Sequence, residues 1–205
     1  GTGDVVVKEL PIAAIHGIDV QGSVEVRVTR AEVQHVTAEG QANLIELLET
    51  TVTGGIWTVR TTKCHSTDKP FVVNISLPLI DHVHVQGSGD VTGSGIFDVE
   101  HADVDVQGSS NVSLNLNAKT IEAEIQGSGD ITLTGTAAGL TCAIQGSGNV
   151  KAFDLITQRT KADITGSGNV EVSVATALHV SLTYRGNPPA VRSDVTGSGN
   201  VEQVP

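Results

Sequence analysis

The chain has 205 residues, of which 23 are glycine and only 2% are aromatic, and its formal net charge is −11. Such a surface repels polyanions, and five aromatic residues cannot form the stacking platforms of a single-stranded nucleic-acid site, so we exclude nucleic acid as a partner. The longest apolar run, at residues 10–15, falls far short of the roughly 20 residues of a membrane-spanning helix, so we expect no transmembrane segment.

The first 82 residues predict an irregular, antiparallel β cap. Runs of alternating apolar and polar residues predict strands at 24–29, 49–53, 56–61 and 72–77. Gly54 and Gly55, between two of these runs, predict a hairpin turn, and residues 43–48 predict one helical turn with Asn43 as its N-cap. We interpret this part as a cover for the open strand edge at one end of the structure predicted next.

From residue 83 onward the chain repeats a motif of the form [Gln/Thr]-Gly-Ser-[Gly/Ser]-[Asp/Asn], flanked on both sides by Val or Ile. Six copies occupy residues 86–90, 107–111, 126–130, 145–149, 165–169 and 196–200, and a shortened echo lies at residues 20–24. The first glycines are 19 to 21 residues apart, except for a last step of 31. A period near 20 is too short for paired helices and too long for one strand, so it predicts one coil of a parallel β-helix.

The residues around each copy support that prediction. Positions four and two before the first glycine are small or apolar in nearly every copy, whereas positions five and three before it are mostly polar, as in a strand with one buried face. The motif itself then forms the corner, where glycine accepts a positive φ without steric penalty. Ser110 replaces the second glycine in one copy, which argues against a strict need for positive φ at that position.

Stacked coils would bring the last residue of each motif into one column about 4.8 Å apart. The column is Asp90, Asn111, Asp130, Asn149, Asn169 and Asn200. No two aspartates are neighbours in it, so we expect an amide ladder without repulsion between like charges. We therefore predict an all-β chain and a single domain over residues 1–205: a single-stranded parallel β-helix with coils of about 20 residues over 83–205 and the cap over 1–82.

The long last step predicts a protruding hairpin or loop over residues 173–194. This segment holds the only tyrosine of the chain, Tyr184, followed by Arg185 and the stiff pair Pro188-Pro189. Insertions in solenoids often bind partners, so Tyr184 and Arg185 are candidate ligand-binding residues. The alternative is that the segment only caps the last coil, with Tyr184 covering apolar edge residues such as Leu182.

Together these features resemble the head GIN domain family of putative auto-transporter adhesins. The six GSG[D/N] copies follow an irregular β-rich third, and Tyr184-x-Gly186-x-Pro188 precedes the final copy. The resemblance covers essentially the whole chain, and six in-phase copies make its motif specific. It implies a bacterial secreted or envelope-facing right-handed β-helix and supplies no catalytic residues that match positions here. Right-handedness also follows from the general handedness of parallel crossovers.

The outward positions of the first three coils form the sharpest candidate site. They are His82, His84, Asp103, Asp105, Glu122 and Glu124. Stacking sets carboxylates beside carboxylates, so Ca²⁺ or Zn²⁺ would relieve repulsion there, and these six residues are candidate metal ligands. The alternatives are a solvated acidic face without metal, or a glycosidase pair, since neighbouring coils place two acids about 5 Å apart.

The sequence contains no motif for other kinds of catalysis. No copy of the repeat completes the dinucleotide-binding fingerprint G-x-G-x-x-G, and neither G-x-S-x-G nor H-E-x-x-H occurs. Cys142 lies in an inward column, so we expect a buried small apolar residue rather than a nucleophile. Cys64 stands in a polar stretch and is expected to be accessible, and we do not expect the two cysteines to form a disulfide.

The sequence therefore predicts a non-enzymatic bacterial envelope or secreted module that presents an extended acidic surface for adhesion or binding. We expect a surface glycan or a host or cell-surface protein as its partner, and no resident cofactor beyond the candidate metal ion. The resemblance implies a secreted, periplasmic or outer-surface location. Because the sequence starts at Gly1 and holds no methionine, we expect that a signal peptide has already been removed. The alternative function is a carbohydrate-active enzyme, a glycoside hydrolase or lyase, that uses the stacked carboxylates.

Overall fold

The structure is a computed structural model that describes residues 1–175, 180–184, 192–196 and 199–203, with side chains described through residue 172. The elements before residue 82 are β1 (Val5–Glu9), β2 (Gly17–Gly22), β3 (Glu25–Arg30), β4 (His35–Gln41), α1 (Ala42–Ile45), β5 (Val52–Thr53), β6 (Ile56–Val59) and β7 (Val72–Leu77). The later strands are β8 (His82–Gly87), β9 (Val91–Ser94), β10 (Phe97–Gly108), β11 (Asn111–Gly127), β12 (Asp130–Gly146), β13 (Asn149–Gly166), β14 (Asn169–Ala175), β15 (Val180–Tyr184), β16 (Arg192–Thr196) and β17 (Gly199–Gln203).

The long strands stack in parallel and in register, one coil upon the next. β8 pairs with β10, β10 with β11, β11 with β12, β12 with β13, and β13 with β14, always in parallel. The motif glycines lie opposite each other, as Gly108 does to Gly127 and Gly127 to Gly146. The described part of the chain thus forms a curled β-solenoid of about five turns, which confirms the predicted fold class.

Two constraints require glycine at the first position of the motif, a positive φ and the lack of room for a Cβ atom. Gly127 has a φ of 136°, and a Cβ built on it would lie 2.3 Å from the carbonyl oxygen of Gly108 in the preceding coil. The backbone amide of Ser128 donates to that same carbonyl at 2.8 Å. Each corner therefore hydrogen-bonds to the corner before it at a separation that leaves no room for a side chain.

The second glycine of the motif does not need a positive φ. Its φ is not positive in the copies that the structure describes, which agrees with the serine found at position 110. Ser110 is fully buried and its hydroxyl donates to the carbonyl of Gly87 at 3.0 Å. The seryl side chain therefore finds its own partner inside the corner.

The interior is filled by columns of branched aliphatic side chains. One column holds Val20, Val85, Val106, Ile125, Ile144 and Ile164, all of them buried. The next inward column includes Ala123, Cys142 and Ala162, and the buried rings of Trp57 and Phe97 complete the core. Both cysteines are free thiols, with Cys64 exposed and Cys142 buried as expected.

Before residue 82 the chain combines antiparallel pairs with strands that already pair in parallel with the coils. β2 pairs in parallel with β6 and β8, and β3 pairs in parallel with β7 and β9. Antiparallel pairing joins β1 to β4, β4 to β7, and β5 to β6. The echo of the motif at residues 20–24 forms a corner like the later ones, with Gly22 at a φ of 102°.

Two local predictions in this part had different outcomes. Gly54 and Gly55 form the predicted turn between β5 and β6, with φ values of 59° and 80°. Asn43 is not an N-cap, since the helical turn starts one residue earlier and Gln41 precedes it without a side-chain cap. The side-chain oxygen of Asn43 instead accepts a hydrogen bond from the backbone of Thr2 at 3.1 Å.

At the carboxyl end of the chain the strands are divided between two sheets. β14 pairs in parallel with β16, and β15 pairs in parallel with β17 in a separate two-stranded sheet. Within the predicted hairpin or loop at 173–194, residues 176–179 and 185–191 lie outside the described part, and β15 is a sheet strand rather than one arm of a local hairpin. Asn200 pairs with Ser181 and so does not continue the column of motif residues beyond Asn169.

Candidate functional site

The outward positions of β2, β8 and the second halves of β10 to β13 form two adjacent columns of polar side chains. The register places His82 opposite Asp103 and Asp103 opposite Glu122, and in the second column His84 opposite Asp105 and Asp105 opposite Glu124. All six residues predicted from the sequence are therefore brought onto one face. Asp19 extends the second column, because it lies opposite His84 on the other side.

His84 is held between two carboxylates. Its Nδ1 lies 3.2 Å from Asp19 Oδ1 and its Nε2 lies 3.6 Å from Asp105 Oδ2, and all three side chains are about three-quarters buried. In the first column, His82 Nδ1 lies 3.4 Å from Asp103 Oδ2. Each of the two imidazoles thus lies within 4 Å of a carboxylate in a neighbouring coil.

The predicted metal ligands do not converge into one site. Over the described part of the chain, no group of three or more His, Cys, Asp or Glu side chains is arranged to hold a metal ion. The physical reason is the sheet geometry, since neighbouring outward side chains of stacked strands run parallel to each other and do not point at a common centre.

The carboxyl groups of this face differ in how deeply they are buried, and burial changes the pKa of one of them. Burial raises the pKa of Asp105, and the nearby His84 imidazole and a hydrogen bond from Gln107 oppose that rise only in part. Glutamine side chains two residues further along the strands bind the carboxylates, as Gln21 does to Asp19 at 2.9 Å and Gln126 does to Glu124 at 2.9 Å. These contacts hold the acids in place on the face.

A groove runs beside the first column, along the axis of the solenoid. One cavity of about 400 Å³ is lined by His16, Ile56, Asp81, His82, His101, Ala102, Asp103, Thr120 and Glu122. A second cavity of about 400 Å³ is lined by Thr120, Ile121, Glu122, Gly139, Leu140, Thr141, Arg159, Thr160 and Lys161. The two share Thr120 and Glu122, so we treat them as one feature, the axial groove.

The histidine-rich end of the axial groove contains residues that the sequence pattern did not reveal. His16 Nδ1 lies 2.6 Å from Asp81 Oδ1, and His16 Nε2 lies 3.2 Å from the carbonyl oxygen of Gly54. The hydrogen bond with Asp81 raises the pKa of His16, against a smaller lowering by burial. His101 Nδ1 lies 2.6 Å from the Thr120 hydroxyl. His16 and Asp81 belong to segments outside the regular motif, so no repeat could have flagged them.

The other end of the axial groove is cationic. Arg159 and Lys161 stand two residues apart on β13, so both side chains point outward from the same face. Thr141 and Gly139 lie opposite them in the preceding coil. The groove therefore changes from carboxylates and imidazoles at one end to two cations at the other.

Of the candidate binding pair Tyr184 and Arg185, the structure describes only the backbone of Tyr184. Tyr184 ends strand β15, where its backbone pairs with Gln203, and Arg185 lies outside the described part. The structure thus leaves the prediction for Tyr184 and Arg185 untested. No helix in the described ranges is both long and apolar enough to cross a membrane.

Comparison with known proteins agrees with this fold. A sequence model of the family described as putative auto-transporter adhesin, head GIN domain, matches residues 15–188. No curated protein matches the chain.

Three solved structures share the fold over nearly the whole length of the chain. A putative adhesin from Bacteroides fragilis has a TM-score of 0.79 at 18% identity, covering 99% of this chain and 98% of its own. A putative lipid binding protein from Parabacteroides distasonis has a TM-score of 0.73 at 20% identity, covering 100% and 98%. A putative adhesin from Parabacteroides merdae has a TM-score of 0.65 at 22% identity, again covering 100% and 98%.

Proposed function

The chain belongs to the head GIN domain family of putative auto-transporter adhesins, and from that premise we propose that it is a non-enzymatic binding module whose axial groove holds an extended surface ligand. The module is secreted or faces outward from a bacterial envelope, and its partner is a surface glycan or a cell-surface protein. The formal net charge of −11 gives it an acidic surface overall.

The observation that carries this proposal is the continuity of the axial groove. Its lining residues come from β6, β8, β10, β11, β12 and β13 and from His16 just before β2. From the coil of β2 to that of β13 there are five steps of roughly 4.8 Å, so the groove extends over about 24 Å. Every coil contributes side chains at equivalent positions, which suits a polymer whose units repeat along the solenoid. A glycan chain or an extended peptide has that form.

The alternative of a carbohydrate-active enzyme fits the geometry less well. Such an enzyme needs a proton-retaining acid and a second carboxylate that converge on one cleft. The acid whose pKa burial raises is Asp105, whereas the carboxylates that line the axial groove are Asp81, Asp103 and Glu122. The acid whose pKa burial raises and the acids that face the groove are therefore different residues.

The test blocks the groove at the position that its two halves share. Thr120 is exposed, so Thr120→Trp inserts a large ring into the groove without disturbing the core. Thr29→Trp, at an exposed position on β3, is the matched control. Wild type and both variants are applied to an array of glycans and cell-surface proteins, with and without Ca²⁺, and their melting temperatures are compared.

We expect wild type and Thr29→Trp to bind the same ligands equally with and without Ca²⁺, and Thr120→Trp to lose them at an unchanged melting temperature. An array on which wild type binds nothing contradicts the proposal. So does undiminished binding by Thr120→Trp.

Tyr184 and Arg185 supply a separate prediction for a second contact. An aromatic ring beside a cation suits a binding surface in an otherwise acidic chain. Replacing both by Ala is expected to weaken binding on the same array with little change in melting temperature. A clear drop in melting temperature with binding intact would show instead that this segment caps the solenoid.

A further inference from the structure

We propose that the cationic end of the axial groove, formed by Arg159 and Lys161, is a subsite for the carboxylate of an acidic sugar. The inference rests on the proposed binding function and names its ligand class: a saccharide chain that carries uronic acid units. Three features of this end, treated in turn below, support it.

The first feature is that neither cation has a carboxylate partner among the described side chains, whereas most other described lysines and arginines do. Six described lysines and arginines have a carboxylate within 4.0 Å: Lys8, Arg27, Arg30, Arg60, Lys119 and Lys151. No such ion pair involves Arg159 or Lys161 among the side chains that the structure describes, although the chain holds 23 acidic residues. Two exposed cations that share one cavity in an acidic protein leave their charge available to an anionic ligand.

The second feature is the spacing of the two cations. Side chains two residues apart on a strand start about 6.6 Å from each other and point to the same side. Guanidinium and ammonium groups at that spacing reach one carboxylate from both flanks, with the guanidinium supplying two parallel donors. The site thus matches a single carboxylate on a compact ring.

The third feature is a glycine that the fold does not require. A Cβ on Gly139 would meet only a methyl group of Thr120, at 3.7 Å, and the φ of Gly139 is not positive. At Gly135, by contrast, a Cβ would lie 2.2 Å from the carbonyl oxygen of Leu116. Gly139 lies opposite Arg159 and lines the same cavity, so the missing side chain leaves open space in the groove beside Arg159.

The charges along the groove favour a sugar over a ligand with several adjacent anionic groups. Glu122 lines the same cavity as the two cations, and Asp103 lies beyond it. These carboxylates repel a second closely spaced anion but accept hydrogen bonds from hydroxyl groups. A saccharide with a single carboxylate and several hydroxyls satisfies both ends, and the Thr141 hydroxyl adds a further partner between them.

The test measures binding of aldotriouronic acid, a trisaccharide of one glucuronic acid and two xylose units, by isothermal titration calorimetry. Its methyl ester is the neutral probe of the same shape. The variants are Arg159→Gln/Lys161→Gln, which removes both charges, and Gly139→Val, which fills the space beside Arg159. Arg27→Gln/Lys63→Gln removes one arginine and one lysine charge from positions that do not line the groove and is the matched control.

We expect wild type and the control to bind the acid alike, with affinity falling as salt is raised. The Arg159/Lys161 variant and Gly139→Val should each bind it at least tenfold more weakly at an unchanged melting temperature, and wild type should bind the ester at least tenfold more weakly than the acid. Equal affinity for acid and ester, or full affinity in the Arg159/Lys161 variant, overturns the inference.

The array described above separates this inference from the proposed function. Ligands bound there by wild type and equally by the Arg159/Lys161 variant uphold the binding module and overturn the acidic-sugar subsite. An array without any bound ligand, together with no heat signal from aldotriouronic acid, overturns both.

Discussion

Asn149 donates two hydrogen bonds to one carboxylate oxygen of Asp130 in the coil before it, from its backbone amide at 3.1 Å and from its side-chain amide at 2.7 Å. Asn111 binds Asp90 in the same way, at 2.8 Å and 3.0 Å. The side-chain amide of Asn169 then donates to Asn149 at 2.9 Å. Side-chain hydrogen bonds thus join the corners in two runs along the predicted column, from Asp90 to Asn111 and from Asp130 through Asn149 to Asn169.

Removing the carboxylate from this ladder should destabilise the solenoid. Asp130 also binds Lys151 at 2.6 Å, so Asp130→Ala removes charge-assisted hydrogen bonds from two partners. We expect a loss of about 2 kcal/mol, measured by urea denaturation, and a loss of about 1 kcal/mol for Asp130→Asn, which keeps an acceptor oxygen. Asp163→Asn, at an exposed outward position, changes the net charge equally and should leave stability unaltered. Equal stability of Asp130→Ala and Asp163→Asn would contradict the role of the ladder.

Asp130 should also make the stability of the fold depend on pH. Burial alone would raise its pKa, but the hydrogen bonds from Lys151 and Asn149 outweigh burial and lower it. A lowered pKa means that this carboxylate stabilises the fold above the ordinary pKa of an unfolded aspartate, and that the contribution disappears as pH falls through the folded value. Stability measured from pH 7 down to pH 2 should therefore fall less in Asp130→Asn than in wild type.

The motif glycines should tolerate no side chain. Gly127→Ala places a Cβ against the carbonyl of Gly108 and forces alanine to a φ of 136°, so we expect a loss of at least about 3 kcal/mol or failure to fold. Gly139→Ala is the control on the next coil, where stability should be unchanged or higher by up to about 1 kcal/mol because alanine restricts the unfolded chain. Comparable stability of the two variants in thermal melts would refute this explanation of the repeat.

His16 should titrate above an ordinary histidine. Its hydrogen bond with Asp81 favours the imidazolium, so the contribution of His16 to stability is complete below the unfolded pKa of about 6.5 and is lost as pH rises through the higher folded pKa. Asp81→Asn should lower the pKa of His16 in an NMR titration, while Asp98→Asn, at an exposed site on β10, should not. An unchanged pKa in Asp81→Asn would show that Asp81 does not hold the proton.

The two cysteines should differ in reactivity. Burial raises the pKa of the Cys142 thiol to about 12, so almost no thiolate forms at pH 8, whereas Cys64 is exposed. Native protein treated with iodoacetamide should gain one adduct, and the Cys64→Ser variant none, by intact mass. Denatured protein should gain two. A second adduct on the native protein would show that the inward column is open to solvent.

Repetition made the regular coils readable from the sequence. Val85, Val106 and Ile125 recur at one distance before each motif, and only stacking of like on like can bury all of them, so both the fold class and the inward columns could be predicted. The same argument placed His82, Asp103 and Glu122 in one outward column. Residues 1–82 lack that spacing, and there the sequence did not indicate that β2 and β3 pair in parallel with later coils.

The site itself was decided by tertiary structure. His16 and Asp81 are 65 residues apart, and they meet because β2 stacks on β8 while the chain between them forms other strands and a helical turn. No period links the two positions. The open space beside Arg159 likewise depends on which side chain stands one coil earlier, and there the chain has Gly139. A repeat determines which residues face inward, because burial acts on every coil alike. Only the assembled stack determines which outward side chains share a groove, because those neighbours come from distant parts of the chain.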